Sequence, residues 1–217
     1  MSAMRREVTD PSVGLDRRRA SSGSKPVLGG LAHLETRWEY DTPFGTAFAG
    51  VASSTEAARR DDVAWVAGPG LPESWLPLGP FETVMGGRWA KRSRLHDGAD
   101  GMVGTTRLAV HQSRRDGWSL SRNRRSIRVV LGSDQLRLRA YGDSKAYLLR
   151  GDRRLAKLRI VGGTSMSRPP VDVLGTPLVT LCSDSTAEIC SLALVINECE
   201  LQVEACHPVG QALNSGF

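Results

Sequence analysis

The sequence predicts a mainly β protein of the α+β type, in which an antiparallel meander curls into a barrel around a hydrophobic C-terminal helix. Residues 104–161 contain short amphipathic runs separated by Gly, Asp, Asn and Ser, as in antiparallel strands joined by tight turns. Residues 186–199 span about four helical turns and are apolar on almost every side. Such a helix must be buried all round, and a curled sheet can enclose it, whereas an open sheet leaves half of its apolar surface in water.

The strands of the meander are predicted from the alternation of apolar and polar residues. The clearest strand lies at 135–141, where the two kinds of residue fall on opposite faces. Because each strand has one apolar face, one side of the sheet is expected to be buried and the other wet. Further strands are predicted at 104–112, 118–122, 126–131, 145–150, 154–161, 171–175 and 177–182. The residues predicted to point inward are Leu136, Leu138, Leu158 and Ile160.

The C-terminal helix is preceded by a start signal. Ser185 and Glu188 have the spacing of a capping box, and Asp184 is the other candidate for the cap. All four cysteines lie in the last 36 residues without a CxxC pair, so neither a zinc ribbon nor a thioredoxin-like motif is indicated. We therefore predict that the cysteines are core residues and that the protein has no metal site and no cofactor.

The domain organisation is predicted from composition. Residues 1–30 are polar and charged without periodicity, and we interpret them as a disordered basic leader. Residues 31–217 are expected to form one mainly β domain, of which 81–205 is the best supported part. The sequence shows neither the apolar segment of a signal peptide nor a run of the ~18 apolar residues needed to span a membrane. We therefore expect a cytoplasmic protein without a transmembrane segment.

Two stretches before the meander contain conflicting or unusual signals. Residues 54–67 are compatible with a short helix capped by Thr55, or with a loop that leads into a strand. Residues 68–80 contain four prolines, and proline cannot donate to a strand ladder. The second stretch is therefore predicted to be an ordered loop, with Trp75 and Leu76 holding it against the core.

Positive charge is concentrated in the middle of the chain. The net charge is +6, and residues 88–168 contain 20 basic and 6 acidic residues, a balance of +14. Residues 169–217 contain six acidic residues and no Lys or Arg. The central block can attract a nucleic acid or an anionic membrane, or it can be the solvated face of a sheet that pairs with the acidic segments.

Arginines around one predicted hairpin are the candidate binding residues. If 126–131 and 135–141 pair, Arg128 falls beside Arg137 or Arg139 on the outer face. Arginine binds phosphate through two hydrogen bonds, and like charges crowded on one face require an anion or an acidic partner. Aromatic residues are sparse nearby, which argues against a platform for single-stranded nucleic acid. The complete set of anion-binding candidates is Arg122, Arg124, Arg125, Arg128, Arg137 and Arg139.

The sequence contains none of the common catalytic motifs. Its four histidines form no HExxH pattern, its glycine pairs match no phosphate-binding loop, and no GxSxG elbow occurs. We therefore predict that the protein is not an enzyme. The expected function is a binding or scaffold domain that uses a basic β-face for an anionic lipid headgroup, a phosphate or an acidic protein. The alternatives are a nucleic-acid-binding protein and a structural subunit of a larger assembly.

Two stretches have a recognisable order of elements. In YLLRGDRRLAKLRIV (147–161) a strand, a short turn and a second strand follow one another, and in VDVLGTPLVTLCSDSTAEICSLALVINECELQV (171–203) a strand precedes an apolar helix. This order resembles the tubby C-terminal domain-like superfamily, which includes LURP-one-related and phospholipid-scramblase-like proteins, over about residues 81–205.

The resemblance implies a barrel with a central helix and a binding or scaffold role. In the tubby branch it also implies phosphoinositide binding by basic residues on the outside of the barrel. No local motif assigns those residues in this chain. The chain departs from the family pattern in its proline-rich segment at 68–80 and in lacking any other long helix.

Overall fold

The computed structural model of the protein describes residues 12–20, 34–52, 63–77, 81–83, 90–92, 98–112, 126–141, 145–159, 178–199, 201 and 205. The strands are β1 (Ser12–Arg19), β2 (Leu34–Thr42), β3 (Gly45–Ala52), β4 (Val63–Gly68), β5 (Leu71–Pro77), β6 (Phe81–Thr83), β7 (Ala90–Arg92), β8 (Ala99–Val103), β9 (Thr106–Gln112), β10 (Ile127–Leu131), β11 (Asp134–Ala140), β12 (Lys145–Arg150), β13 (Arg153–Arg159) and β14 (Val179–Cys182). The helix is α1 (Ala187–Glu198).

Twelve of the strands in the described residues form a closed antiparallel barrel. Their order around the wall is β1-β14-β13-β12-β11-β10-β9-β8-β5-β4-β3-β2, and β6 and β7 form a separate two-stranded sheet. Closure removes the free edges that an open sheet would expose to other chains. The predicted fold class, a mainly β barrel around a C-terminal helix, is confirmed.

Two-residue turns set the register of the strands that bear the central arginines. Gly132 and Gly151 begin the β10–β11 and β12–β13 turns with φ of 59° and 58°. Glycine adopts this left-handed conformation without steric cost, and such turns match the twist of the strands they connect. Because a slip of one residue would turn every apolar side chain outward, the register is strongly specified along these hairpins.

Helix α1 is enclosed by the barrel, as predicted. It contacts β3, β4, β5, β8, β13 and β14, and every residue from Ile189 to Glu198 is buried. The predicted inward residues Leu136, Leu138 and Leu158 have no exposed surface, and Ile160 lies outside the described residues. One apolar core therefore joins the helix to the barrel wall.

The start of α1 differs from the prediction by one residue. Thr186 is the N-cap, and its side-chain oxygen accepts a hydrogen bond from the Ile189 amide at 3.4 Å. Ser185 instead donates its hydroxyl to the Leu155 carbonyl at 2.8 Å. The predicted capping box is wrong because tertiary contact with β13 uses the Ser185 side chain.

Polar side chains hold the last turn of α1 against β2. The Tyr40 hydroxyl donates to the Glu198 carboxylate at 2.8 Å, and the Asn197 amide donates to the Tyr40 oxygen at 3.2 Å. Burial raises the pKa of Tyr40 well above its usual value, and the Glu198 charge raises it further. These bonds satisfy polar groups that would otherwise be costly inside the barrel.

The first correction concerns the predicted disordered leader at 1–30. Residues 12–19 are strand β1, which pairs with β14 on one side and β2 on the other and so closes the barrel. Leu15 points inward with no exposed surface. The rest of the predicted leader, apart from Ala20, lies outside the described residues.

The second correction concerns the proline-rich segment at 68–80, where a loop was predicted. Residues 71–77 form β5, paired with β4. The register shifts between Val66 and Gly68, opposite Pro72, while Pro77 ends the strand. Prolines are tolerated at such irregular and terminal positions, where no ladder amide is needed.

Aromatic residues also cluster on the outside of the barrel wall. Trp65 of β4 pairs with Trp75 of β5 and lies with Phe48, Ala52 and Ala67 in a cluster distinct from the inner core. Trp65 has no exposed surface. Trp75 and Leu76 were both predicted to hold this segment against the core. Leu76 lies in the inner core, whereas Trp75 packs against the outer cluster.

Residues 54–67 were predicted to be either a short helix or a loop that leads into a strand. Residues 63–67 belong to strand β4, and residues 54–62 lie outside the described residues.

Candidate anion-binding face

The outer side of strands β10–β13 carries a set of cations that we call the basic face. Side chains alternate along a strand, so residues between the buried ones point away from the barrel interior. On β11, for example, Leu136 and Leu138 are buried while Arg137 between them is exposed. The basic face consists of Arg128, Arg137, Arg139, Lys145, Arg154, Lys157 and Arg159.

Arg128 and Arg137 lie directly opposite each other in the β10–β11 hairpin. Both side chains are exposed, and like charges in this position destabilise a sheet. On the other side of Arg128, the register places the exposed His111 of β9. The three residues form a row across three neighbouring strands. Of the two neighbours that the sequence pattern allows for Arg128, which are Arg137 and Arg139, the hairpin register selects Arg137.

Arg139 has a buried donor on its guanidinium group. It is half-buried, and its Nε is buried without a hydrogen-bond partner among the described residues. Across the strand pair lies Tyr147 of β12, which is 7% exposed. A buried donor on a charged group is costly when nothing accepts from it. An incoming anion that reached this nitrogen would remove that cost.

Two tyrosines and an arginine form an aromatic group at one end of the basic face. The rings of Tyr141 and Tyr147 meet edge to face, with centroids 5.4 Å apart and planes at 87°. The Arg154 guanidinium lies 4.6 Å from the Tyr147 centroid and 5.6 Å from that of Tyr141. Tyr141 remains 45% exposed. Its ring is therefore both accessible and braced by its neighbours.

Carboxylates lie at the rim of the barrel and away from the centre of the basic face. Asp134 is the one acidic residue in β10–β13, and it accepts a hydrogen bond from Arg150 at 2.6 Å. Asp184 pairs with Arg153 at the same rim. Within the described part of the chain, no carboxylate pairs with Arg128 or Arg137. Asp184 thus neutralises a rim arginine, while Arg128 and Arg137 are exposed and have no carboxylate partner among the described residues.

A shallow groove adjoins the basic face beside His111. It has a volume of about 300 Å³ and is lined by Asp100, Arg107, Ala109, His111, Val130 and Gly132. Ala109 and Val130 are cross-strand neighbours and give the groove an apolar floor. Asp100 and Arg107 form an ion pair at 3.1 Å on its border. The groove therefore offers an apolar surface with polar groups around it, next to the cation row.

The structure describes three of the six predicted anion-binding residues. Arg128, Arg137 and Arg139 lie on the basic face, and residues 122, 124 and 125, all arginines, lie outside the described residues. The prediction did not include Tyr147, Arg154 or Lys157. The alternation of apolar and polar residues in 145–150 and 154–159 could have placed Tyr147 and Lys157 on the outer side of the barrel wall. The contact between Arg154 and the two tyrosines could not be predicted in this way, because it depends on packing between strands.

Other reactive groups in the described residues form no centre. They contain no group of three or more His, Cys, Asp or Glu side chains able to hold a metal ion. Cys182, Cys190 and Cys199 form no disulfide with one another, and Cys206 lies outside the described residues. Burial raises the pKa of Cys190 to about 12, so this thiol stays protonated and unreactive at neutral pH.

Comparisons with known proteins identify no relative of this chain. No known protein family matches it, and searches of the curated proteins and of the solved structures find no match either. The antiparallel barrel with one described helix fits a tubby-like barrel with a central helix at the level of the fold.

In the part of the chain that the structure describes, no helix has the length and apolar character needed to cross a membrane.

Proposed function

We propose that this protein is a non-catalytic binding domain whose basic face binds an anionic, phosphate-bearing partner. The observation that carries the proposal is the direct opposition of Arg128 and Arg137 without a carboxylate among the described residues to pair with them. Guanidinium groups bind phosphate oxygens through charge-assisted hydrogen bonds, which are stronger than bonds between neutral groups. An anion between the two arginines replaces their repulsion with attraction.

Two further features support an anionic partner. The Nε of Arg139 is a buried donor without an acceptor, and Lys157 lies on the same wall. The resemblance to the tubby-like superfamily, whose tubby branch binds phosphoinositides outside the barrel, points in the same direction. We also propose that this protein belongs to that superfamily and that it is cytoplasmic.

A binding panel on the full chain tests the proposal. The probes are phosphatidylcholine vesicles with and without phosphatidylserine or a phosphoinositide, and labelled single-stranded and duplex oligonucleotides, each at about 50 and 200 mM salt. Wild type is expected to bind at least one phosphate-bearing probe, more weakly at the higher salt. The double variant Arg137→Glu, Arg139→Glu is expected to lose about 100-fold or more in affinity, because it removes two charge-assisted contacts that contribute ~1.5–3 kcal/mol each.

The matched control is Arg19→Glu. Arg19 is an exposed arginine on β1, four strands away from β11 around the wall. It is compared with the single variants Arg137→Glu and Arg139→Glu, because its reversal changes the net charge by the same amount as each of them. Its affinity should stay close to that of wild type. Absence of binding to every probe, or an equal loss in the control, would contradict the proposal and leave a structural role for the domain.

A further inference from the structure

We propose that the anionic partner is a single-stranded nucleic acid that lies along strand β11. This inference rests on the proposed function and names its partner. The observations that carry it are the order of side chains along β11, the exposed and braced Tyr141, and the groove at the opposite end of the basic face.

The outward side chains of β11 form a straight track. Gln135, Arg137, Arg139 and Tyr141 occupy alternate positions, and hydrogen bonding from the Tyr141 amide to the Lys145 carbonyl at 2.8 Å continues the ladder to the last of them. Successive members are ~6.6 Å apart along the strand, and the whole track spans ~20 Å. Two cations at this interval suit successive phosphates of an extended strand.

Tyr141 adds a contact that phosphate binding alone does not require. Among the described residues it is the one exposed large aromatic, since the other exposed large hydrophobic side chain is Val13 on β1. Its ring is held by Tyr147 and Arg154, so little freedom is lost when a base stacks on it. Base–aromatic stacking next to a track of cations is the usual means of binding single strands without strong sequence preference.

The groove provides a second place for a base. Its floor residues Ala109 and Val130 are in register with Gln135, where the track begins. Asp100 and His111 supply hydrogen-bonding groups on its border. A strand that passes from the groove over Arg137 and Arg139 to Tyr141 thus meets an apolar surface, two cations and an aromatic ring in that order.

This geometry favours a single strand over a duplex. In a duplex the bases are read by a helix or a β-ribbon that enters the major groove, and the basic face is the side of a barrel wall. A duplex could therefore meet the arginines through its phosphates, but its stacked bases could not reach Tyr141 or the groove floor. Aromatic residues remain sparse on this face, as the sequence predicts, because Tyr147 is buried. The fold adds rigidity to the one accessible ring, since Tyr147 and Arg154 pack against Tyr141.

Fluorescence anisotropy with a labelled oligothymidylate of about twelve nucleotides tests the inference on the full chain, against a duplex of equal charge and phosphatidylserine vesicles. Tyr141→Ala is expected to weaken single-strand binding by about 5- to 150-fold, the effect of losing one stacked base. Tyr141→Phe keeps the ring and should retain most of the affinity. Val13→Ala, which removes the other exposed apolar side chain, should have no effect.

Salt dependence separates the roles of ring and charge. Two phosphate contacts, from Arg137 and Arg139, give a slope of log affinity against log salt of about −1.4 for a single strand. Arg137→Glu should reduce the magnitude of that slope by ~0.7 or more. Tyr141→Ala should lower the affinity at every salt concentration and leave the slope unchanged. If Tyr141 only supported the structure, its loss would not lower the affinity while leaving the salt slope unchanged. Circular dichroism checks that each variant is folded.

The possible outcomes distinguish this inference from the proposed function. Binding to vesicles but not to the oligonucleotide at low salt would overturn the single-strand assignment and leave the basic face as a lipid-binding surface. Equal affinity for duplex and single strand, with Tyr141→Ala neutral, would overturn it as well. No binding to any of the three probes would overturn both proposals.

Discussion

Reversing the charge of Arg137 should strengthen folding and weaken binding. In the β10–β11 hairpin Arg128 and Arg137 are directly opposite, with Cβ atoms ~4.5–5.5 Å apart. Arg137→Glu turns a repulsive cross-strand pair into an attractive one. A solvated face without function would show the gain in stability alone, whereas a binding face shows the gain together with the loss of affinity.

The size of the effect follows from Coulomb's law. With the charged ends of the side chains about 7 Å apart in water, one pair contributes ~0.6 kcal/mol, so the change of sign is worth ~1.2 kcal/mol without salt. At 0.15 M salt the Debye length is about 8 Å, which reduces the change to ~0.5 kcal/mol. Both values fall near the range of ~0.2–1 kcal/mol seen for cross-strand pairs.

Urea unfolding of wild type, Arg137→Glu and Arg137→Gln measures the change at low and high salt. The neutral variant only removes the repulsion, so it should gain about half as much as the reversed one. In an Arg128→Gln background the gain of Arg137→Glu should largely disappear, because the partner charge is gone. The reasoning is refuted if Arg137→Glu destabilises the protein at low salt, or if its gain is the same at all salt concentrations.

Three further predictions concern the barrel and its helix. Leu194→Asp should prevent soluble folding and Leu194→Ala should cost about 2–5 kcal/mol in chemical denaturation, because this side chain is fully enclosed; cooperative, soluble unfolding of the first variant would place the helix on the surface. Deleting residues 2–20 removes β1 and exposes the edges of β2 and β14, so the shortened protein should aggregate in size-exclusion chromatography. A deletion of residues 2–11, which keeps β1, is the control, and equal behaviour of the two deletions would mean that β1 does not close the barrel. The free energy of unfolding should fall as pH rises from about 9 towards 12, because Cys190, with a folded-state pKa of about 12, keeps its proton at pH values where the unfolded chain loses it. An equal fall in a Cys190→Ala variant over that pH range would contradict this prediction.

The parts of the fold that were predicted correctly depend on local patterns. Strands β10 to β13 show alternation and glycine turns within one continuous stretch, and α1 is apolar over its whole length. Their faces and their register therefore follow from side-chain periodicity and turn geometry. The prediction that Arg128 lies beside Arg137 or Arg139 rests on the same patterns, and the two-residue turn between the strands selects Arg137.

The parts that were missed depend on partners distant in the chain. β1 contains one fully buried residue, Leu15, whose register partner Val179 lies on the last strand, so no local pattern distinguishes it from a disordered segment. β5 accommodates Pro72 because its register with β4 shifts at that point, where Pro72 and Glu73 lie opposite the single residue Ala67. The group formed by Tyr141 and Arg154 requires two successive hairpins and was not readable from either one.

The barrel's interior explains why its outer wall can carry unfavourable charges. Stability is concentrated in the enclosed helix and the inward side chains, which form a core independent of the basic face. The repulsion between Arg128 and Arg137 and the unpaired Nε of Arg139 each cost free energy in the unbound protein. An anion relieves both costs on binding, so the contribution of these groups to affinity exceeds that of cations already paired with carboxylates at the rim. Structural need alone would be met as well by neutral polar residues at the same positions, and the proposed binding function rests on this charge, which has no acidic partner among the described residues.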